Sequence, residues 1–378
     1  MKVCVVSLNL GAYFDTHPQS KYGGAEVQAA FVARALAEQG VDVQLVVADL
    51  PAGAQIPYPA ESAFRLSDGL PVLRFFHPRM TGVSDALARV SADIYYQRNA
   101  GMLTGLVAHH ARRHDRLFVY GAGSDTDFSF RDVLIHGLRD RIMFTYGVRR
   151  AHGVVTQNSA QLEVATHALS VPVVAISNGV LPTRRAQAGT TGPVLWAGGL
   201  RPVKRPDLFI GLAQRFPARE FVMVGGSTST EVEYAAAIVR EAQAVPNLRL
   251  TGWLPHSDVI QEISRAAAVV NTSLIEGFPN VYLEAWNYGV PVVSFNDVDG
   301  LLERERLGAL CTDLDDMEKK LRALLENGDE MAAASERAQR VVAERFSPRV
   351  LGPKYVEFFE SLLASRGSGQ GAALLPTR

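Results

Sequence analysis

Apolar runs of strand length alternate with longer helical patterns along this chain, and the alternation passes through twice. That order of elements specifies βα units and parallel sheets. The first series opens with the Val-rich residues 2–8. Gly23-Gly24 then starts a helical stretch to Gln39, in which Val27, Ala30, Phe31, Arg34, Ala35 and Leu36 keep helical spacing, and Gly40 stands at the stop position. Val43–Val47, Val72–Phe76, Ile94–Tyr96, Leu117–Tyr120, Val154–Thr156 and Val173–Ile176 read as the following strands. Residues 181–192 lose apolar periodicity and read as a linker. A second series follows through Val194–Ala197, Phe221–Val224, Leu248–Leu250, Ala268–Asn271 and Val292–Phe295. After Thr312 the chain reads as helical to about Ala364.

The expected fold class is therefore α/β, with two Rossmann-like, doubly wound parallel-sheet domains facing across a cleft. The expected divisions are an N-terminal domain over 1–182, a C-terminal domain over 193–347, a final helix over 348–365 that returns to the first domain, and a flexible tail over 366–378. Open sheets of this kind bind ligands at the carboxyl ends of their strands, so each half is expected to offer loops to the cleft. The linker and the final helix are the expected hinge elements for closure.

Composition narrows the function classes. A chain of 378 residues with 47% hydrophobic and 20% charged residues has enough apolar surface for two cores. The formal net charge of −1 argues against a dedicated nucleic-acid binder. Cys4 and Cys311 have no metal-ligand spacing, and a reduced, cytoplasmic setting is the simpler expectation. The segment Met1–Leu8 is too short and too soon interrupted for a signal h-region, and no apolar run is long enough to span a membrane.

The segment Glu276-Gly277-Phe278-Pro279-Asn280-Val281-Tyr282-Leu283-Glu284 carries the strongest chemical signal. It follows the apolar run 268–271 and opens a helix, with Pro279 suited to the first turn because its missing N–H would be unpaired there. Backbone N–H groups and the positive end of the helix dipole suit a diphosphate. Glu276 and Glu284 would then meet hydroxyls at opposite ends of one ligand. The plainer alternative is an acidic residue that stabilises the dipole, with an unrelated helical glutamate. Gly23 and Gly24 would let backbone approach a ligand, although tight turns use the same residues. The stretch His109-His110-Ala111-Arg112-Arg113-His114, with Arg116, Arg139, Arg141, Arg149 and Arg150, suits either solvated helix faces or an anionic membrane surface. Solvated faces interspersed with Asp115, Asp132 and Asp140 are the favoured reading.

The Glu-x7-Glu pattern within SLIEGFPNVYLEAWNYGVPVV resembles the hallmark of glycosyltransferase family 4, whose members have the GT-B fold. The resemblance covers nearly the whole chain. It includes the turn Gly23-Gly24-Ala25-Glu26, Ser177-Asn178-Gly179-Val180, the segment Leu200–Pro206 and Thr251-Gly252-Trp253. It implies that Glu284 binds the donor ribose, that Glu276 faces the donor sugar, that the backbone at Gly277, Phe278, Pro279 and Asn280 holds the diphosphate, and that Lys204 neutralises the leaving group. Gly225, Trp253 and Leu254 complete the expected donor side. Two positions depart from the family pattern. Gly199 stands where a partner arginine belongs, so Arg201 is the candidate replacement. No histidine follows Leu117–Tyr120, so Asp125 or Ser124 is the candidate contact to the sugar; a turn in which Asp125 caps the next helix is equally compatible.

The resemblance implies a retaining transfer of a sugar from a UDP- or GDP-sugar to an acceptor hydroxyl in polysaccharide or glycolipid synthesis. The donor is a substrate and no cofactor is expected. Lys204 and the helix N–H groups would remove the need for a metal, and Asp125-Thr126-Asp127 reads as a coincidental Asp-x-Asp. The expected partners are a nucleotide sugar and a carbohydrate or lipid-linked acceptor, with peripheral contact at the inner membrane face left open. A nucleotide-sugar epimerase and a non-catalytic homologue are the competing readings.

Overall fold

The computed structural model describes residues 1–15, 22–50, 53–65, 75–129, 135, 137–183, 189–227 and 231–367. It divides into two compact units, one formed by 1–179 with the C-terminal stretch from Pro348, the other by Val180–Ser347.

Among the described residues, the first unit holds seven parallel strands: β1 Lys2–Val6, β2 Asp42–Val47, β3 Ala60–Ser62, β4 Ile94–Arg98, β5 Leu117–Gly121, β6 Gly153–Thr156 and β7 Val173–Ala175. Their order is β3-β2-β1-β4-β5-β6-β7. The Val-rich opening run is continuous because both its faces are buried. Cys4 and Val6 pack into one core cluster, and Val3 and Val5 into the other. The second unit holds β8 Val194–Ala197, β9 Phe221–Val224, β10 Leu248–Gly252, β11 Ala268–Asn271, β12 Val292–Ser294 and β13 Gly308–Leu310, in the order β10-β9-β8-β11-β12-β13. Its central strands divide in the same way, with Val194 and Trp196 on one face and Leu195 on the other.

Three expectations about elements need correction. Val72–Phe76 is not a strand where it is described. Phe75 begins a helical turn running to Met80, broken at His77, whose φ of −133° and ψ of 125° are the extended values that Pro78 imposes on the residue before it. Residues 72–74 lie outside the described residues. Strands β3 and β13 had no counterpart in the reading. Both are three-residue edge strands that are only half-buried, so neither carries a continuous apolar run. Arg366, expected to open the tail, lies in the last turn of the helix Pro348–Gly367 and pairs with Asp115. Asp132, the middle of the linker and residues 368–378 lie outside the described residues.

The final helix is part of the first unit's core. Leu351, Tyr355, Phe359 and Leu362 are each at most 4% exposed and pack in the cluster that holds Phe31 and Leu36 of the helix Gly24–Ala37. Gly352 permits that approach, since a Cβ there would stand 2.6 Å from the carbonyl oxygen of Ala35.

Candidate functional site

In each sheet the strand order reverses beside the first strand, between β1 and β4 and between β8 and β11. Loops leaving the carboxyl ends of such a pair are where open α/β sheets bind ligands. In the second unit those loops carry Lys204 after β8 and Glu276 after β11, and the structure brings them together. Lys204 Nζ donates to Glu276 Oε1 at 2.5 Å, with the two side chains 21% and 11% exposed. Asn271 Nδ2 donates to the same oxygen at 3.2 Å.

The two loops are tied to one another by backbone. Leu274 N donates to Val203 O at 2.9 Å, and Thr272 Oγ1 donates to Lys204 O at 2.7 Å. Thr272 also accepts from the buried Trp196 indole at 3.0 Å. The ion pair is therefore held on a fixed frame rather than on free loops. Arg205 adopts the left-handed conformation (φ 47°, ψ 53°) between the short turn Pro202–Lys204 and the helix Pro206–Gln214.

The helix Asn280–Asn287 follows Glu276. Pro279 is its cap residue rather than a member of its first turn, so the ring stands just outside the helical hydrogen-bond ladder. Pro279 offers no side-chain cap and the first turn holds no acidic residue. Phe278 is 4% exposed and packs edge-on against Phe346, anchoring the approach to the helix. Gly277 continues the loop from Glu276 into that anchor.

Glu284 lies further along the same helix and is 8% exposed. His256 Nε2 stands 2.7 Å from Glu284 Oε1, and because a carboxylate can only accept, the imidazole is the donor. Burial pulls the His256 pKa down, while the hydrogen bond and charge of Glu284 raise it; the net shift is upward. His256 and Asn271 were not singled out in the sequence. The available signal for His256 was its place, just after Trp253-Leu254-Pro255 at the carboxyl end of β10.

Glycine shapes the remaining strand ends. Gly225 has φ 141°, and a Cβ there would stand 1.7 Å from Gly198 O, so only glycine fits. Gly225 N donates to Gly252 O at 3.0 Å, joining the ends of β9 and β10. Trp253 is 47% exposed and donates its indole N–H to Ser227 O at 3.1 Å. Leu254 is half-buried against the second unit's core. Gly199 is half-buried, whereas Arg201 is exposed and has no side-chain partner among the described residues.

In the first unit, Gly23 N donates to Glu26 Oε2 at 2.8 Å and Gly24 begins the helix Gly24–Ala37. That helix end therefore already carries an acidic group. Asp125 is held by amides: Gln161 Nε2 donates to its Oδ1 at 2.7 Å and Asn158 Nδ2 at 3.3 Å. Ser124, rather than Asp125, caps the short helix Asp125–Phe128. Asp127 accepts from Tyr120 Oη and Gly123 N, both at 2.7 Å, so the two carboxylates of Asp125-Thr126-Asp127 turn to different partners. Burial raises the Asp127 pKa.

The basic stretch is not uniform. His110 is 4% exposed, and burial, reinforced by the nearby His114 and His109, lowers its pKa to about 4. It is a neutral core residue against Tyr95 rather than part of a charged face. His109, Arg112, Arg113 and His114 are exposed.

Residues 191–327 match the family described as "Glycosyl transferases group 1". The lipopolysaccharide 1,6-galactosyltransferase of Salmonella typhimurium is 33% identical over 96 residues, which is 25% of this chain and 26% of that protein. The match thus spans about a quarter of the curated relative. Among solved structures, Anabaena HepE, crystallised with UDP and glucose, superposes with a TM-score of 0.75 at 19% identity, covering 96% of this chain and 100% of that one. Sucrose-phosphate synthase from Thermosynechococcus elongatus gives 0.74 at 17% identity, over 97% and 100%. The lipopolysaccharide outer core galactosyltransferase WaaB gives 0.60 at 18%, over 97% and 100%. The chain accordingly has the GT-B fold, and the segment 191–327 that matches the glycosyl transferases group 1 family lies in its second unit.

Proposed function

We propose that this protein is a retaining glycosyltransferase of family 4 that moves a sugar from a nucleotide diphosphate sugar to an acceptor hydroxyl, in cell-surface polysaccharide or glycolipid synthesis. The observation that carries the reading is the Lys204–Glu276 pair at the β8/β11 reversal, on the loop that leads into the N-terminus of the helix Asn280–Asn287. Glu276 balances the Lys204 ammonium. A bound diphosphate would take over that charge, leaving Glu276 to accept from sugar hydroxyls. Lys204 and the helix dipole then stabilise the negative charge that develops on the leaving diphosphate, the term to which electrostatic catalysis owes most.

The base is proposed to be uracil, with guanine as the alternative; HepE was crystallised with UDP and glucose. Glu284 is proposed to accept from the ribose hydroxyls, and Gly225, Trp253 and Leu254 to flank the base side. Arg201 is proposed to reach the diphosphate in place of the arginine that Gly199 replaces. Gly23, Gly24, Ser124 and Asp125 are proposed for the sugar and acceptor side. No cofactor or metal is proposed, since Lys204 supplies the charge a metal would. A carbohydrate or lipid-linked acceptor is proposed, with peripheral contact at the inner membrane face through the helix Leu138–Val148. There Leu138 and Ile142 are 76% and 59% exposed among Arg139, Arg141, Arg149 and Arg150.

The test is incubation with UDP-glucose, UDP-galactose and GDP-mannose in excess chelator, with lipopolysaccharide core acceptors, followed by NMR of the product anomeric proton. Transfer with the donor's anomeric configuration supports the proposal. Inversion, restoration only by added metal, or donor epimerisation without an acceptor would overturn the corresponding part.

A further inference from the structure

The His256–Glu284 contact is not explained by packing alone. His256 is the first residue of the helix His256–Arg265 and reaches across to the middle of Asn280–Asn287. Among the described residues, His256 is the partner of the Glu284 carboxylate, and the bond uses only Oε1. A carboxylate in this setting has two requirements: a fixed rotamer, and a nearby positive charge to offset its burial. An imidazolium whose Nε2–H points at Oε1 supplies both.

We propose that His256 is a positioning residue of the donor site, holding Glu284 through Oε1 and cancelling its charge so that Oε2 is presented to the ribose diol of an anionic nucleotide diphosphate. This rests on the reading of Glu284 as the ribose contact. The charge matters because Glu284 lies only one turn from the helix N-terminus proposed to take the diphosphate. With a neutral imidazole, the carboxylate opposes an anion arriving there. With an imidazolium, the pair is neutral.

Glu284 is the acidic group hydrogen-bonded to the His256 imidazole, and the charged groups around that pair are few. On the helix of His256, Asp258, Glu262 and Arg265 are the charged groups, and Glu262 is taken by Arg249 of β10 at 2.9 Å. The facing helix offers Tyr282 and Glu284, with Tyr288 at its C-terminal cap, and β8 has no titratable residue. The upward shift of His256 is due to Glu284 alone, acting against burial. Protonation is therefore complete below the ordinary histidine value and is lost as pH rises through the raised one. Donor affinity should fall over the same interval.

The experiment is calorimetric titration of the full-length protein with UDP-glucose, whose diphosphate diester does not titrate near neutrality, between about pH 6 and 8.5. Wild type should weaken about fivefold or more across that range, within the tenfold per pH unit that one proton allows. His256→Gln, which keeps a donor without a titrating charge, should show a flat profile. His256→Ala should bind about tenfold more weakly at low pH, the effect of losing one charge-assisted hydrogen bond. Glu284→Ala should abolish binding. If Glu284→Ala abolishes binding but His256→Gln keeps the wild-type pH slope, the positioning role falls and the donor reading stands. If Glu284→Ala binds like wild type, both fall. An independent arm needs no nucleotide: the His256 imidazole titration, followed by NMR in the free protein, should move down in Glu284→Gln. An unchanged titration would overturn the coupling.

Discussion

Lys204 and Glu276 stand 72 positions apart yet share one hydrogen bond, and each depends on the other's loop being held. Lys204→Ala should lower kcat by about a hundredfold to a thousandfold, the range seen when one group stabilising transition-state charge is removed. Its folding stability should also fall, by about 1–3 kcal/mol, because Glu276 is left largely buried without its counter-charge. Steady-state kinetics with chemical denaturation of the same variant check both halves. Gly225 is constrained sterically. Its φ of 141° and the 1.7 Å approach of Gly198 O exclude any side chain. Gly225→Ala should therefore cost about 2 kcal/mol or more, read as a lower denaturation midpoint. Sequence reading named both residues, but their reasons differ. Lys204 was legible through the motif around it, whereas the strain at Gly225 exists only because the ends of β8, β9 and β10 converge.

At the scale of elements, a strand was legible wherever its two faces entered two cores. β1, β8 and β11 are continuous apolar runs for that reason. β3 and β13 were not, because a half-buried edge strand needs no such run. The final helix shows the limit of local pattern. Its sequence reads simply as helix, yet Tyr355 and Phe359 are at most 1% exposed beneath the first unit's sheet. Phe359→Ala should destabilise by about 3–5 kcal/mol, as for other large core truncations, and the loss should appear in the unfolding of the first unit. Hydrogen exchange resolved by segment would show faster exchange in Gly24–Ala37 and Pro348–Gly367, with Val180–Ser347 unaffected. Exchange rising equally in both units would contradict the assignment.

At the scale of the molecule, every residue proposed for the nucleotide diphosphate belongs to the second unit. UDP present at about a hundredfold excess over its dissociation constant stabilises the folded state by about 2.7 kcal/mol. Scanning calorimetry should show that gain in the transition of the second unit, and Glu284→Ala should remove it. A gain confined to the other transition would place the nucleotide elsewhere.

The sequence by itself determined the two α/β halves, the parallel strands and the Glu276–Glu284 motif. Those follow from local periodicity and from residue types at fixed spacing along one loop and helix. It also carried Lys204 and Glu276, through separate motifs. Tertiary structure alone decided which groups meet. It joined Lys204 to Glu276, gave Glu284 its partner His256, surrounded Asp125 with Gln161 and Asn158, and withdrew His110 from the basic surface. Those outcomes depend on strand order. The strand order β10-β9-β8-β11 brings distant carboxyl ends together, and neither pairing nor burial can be read from the residues on either side of a position.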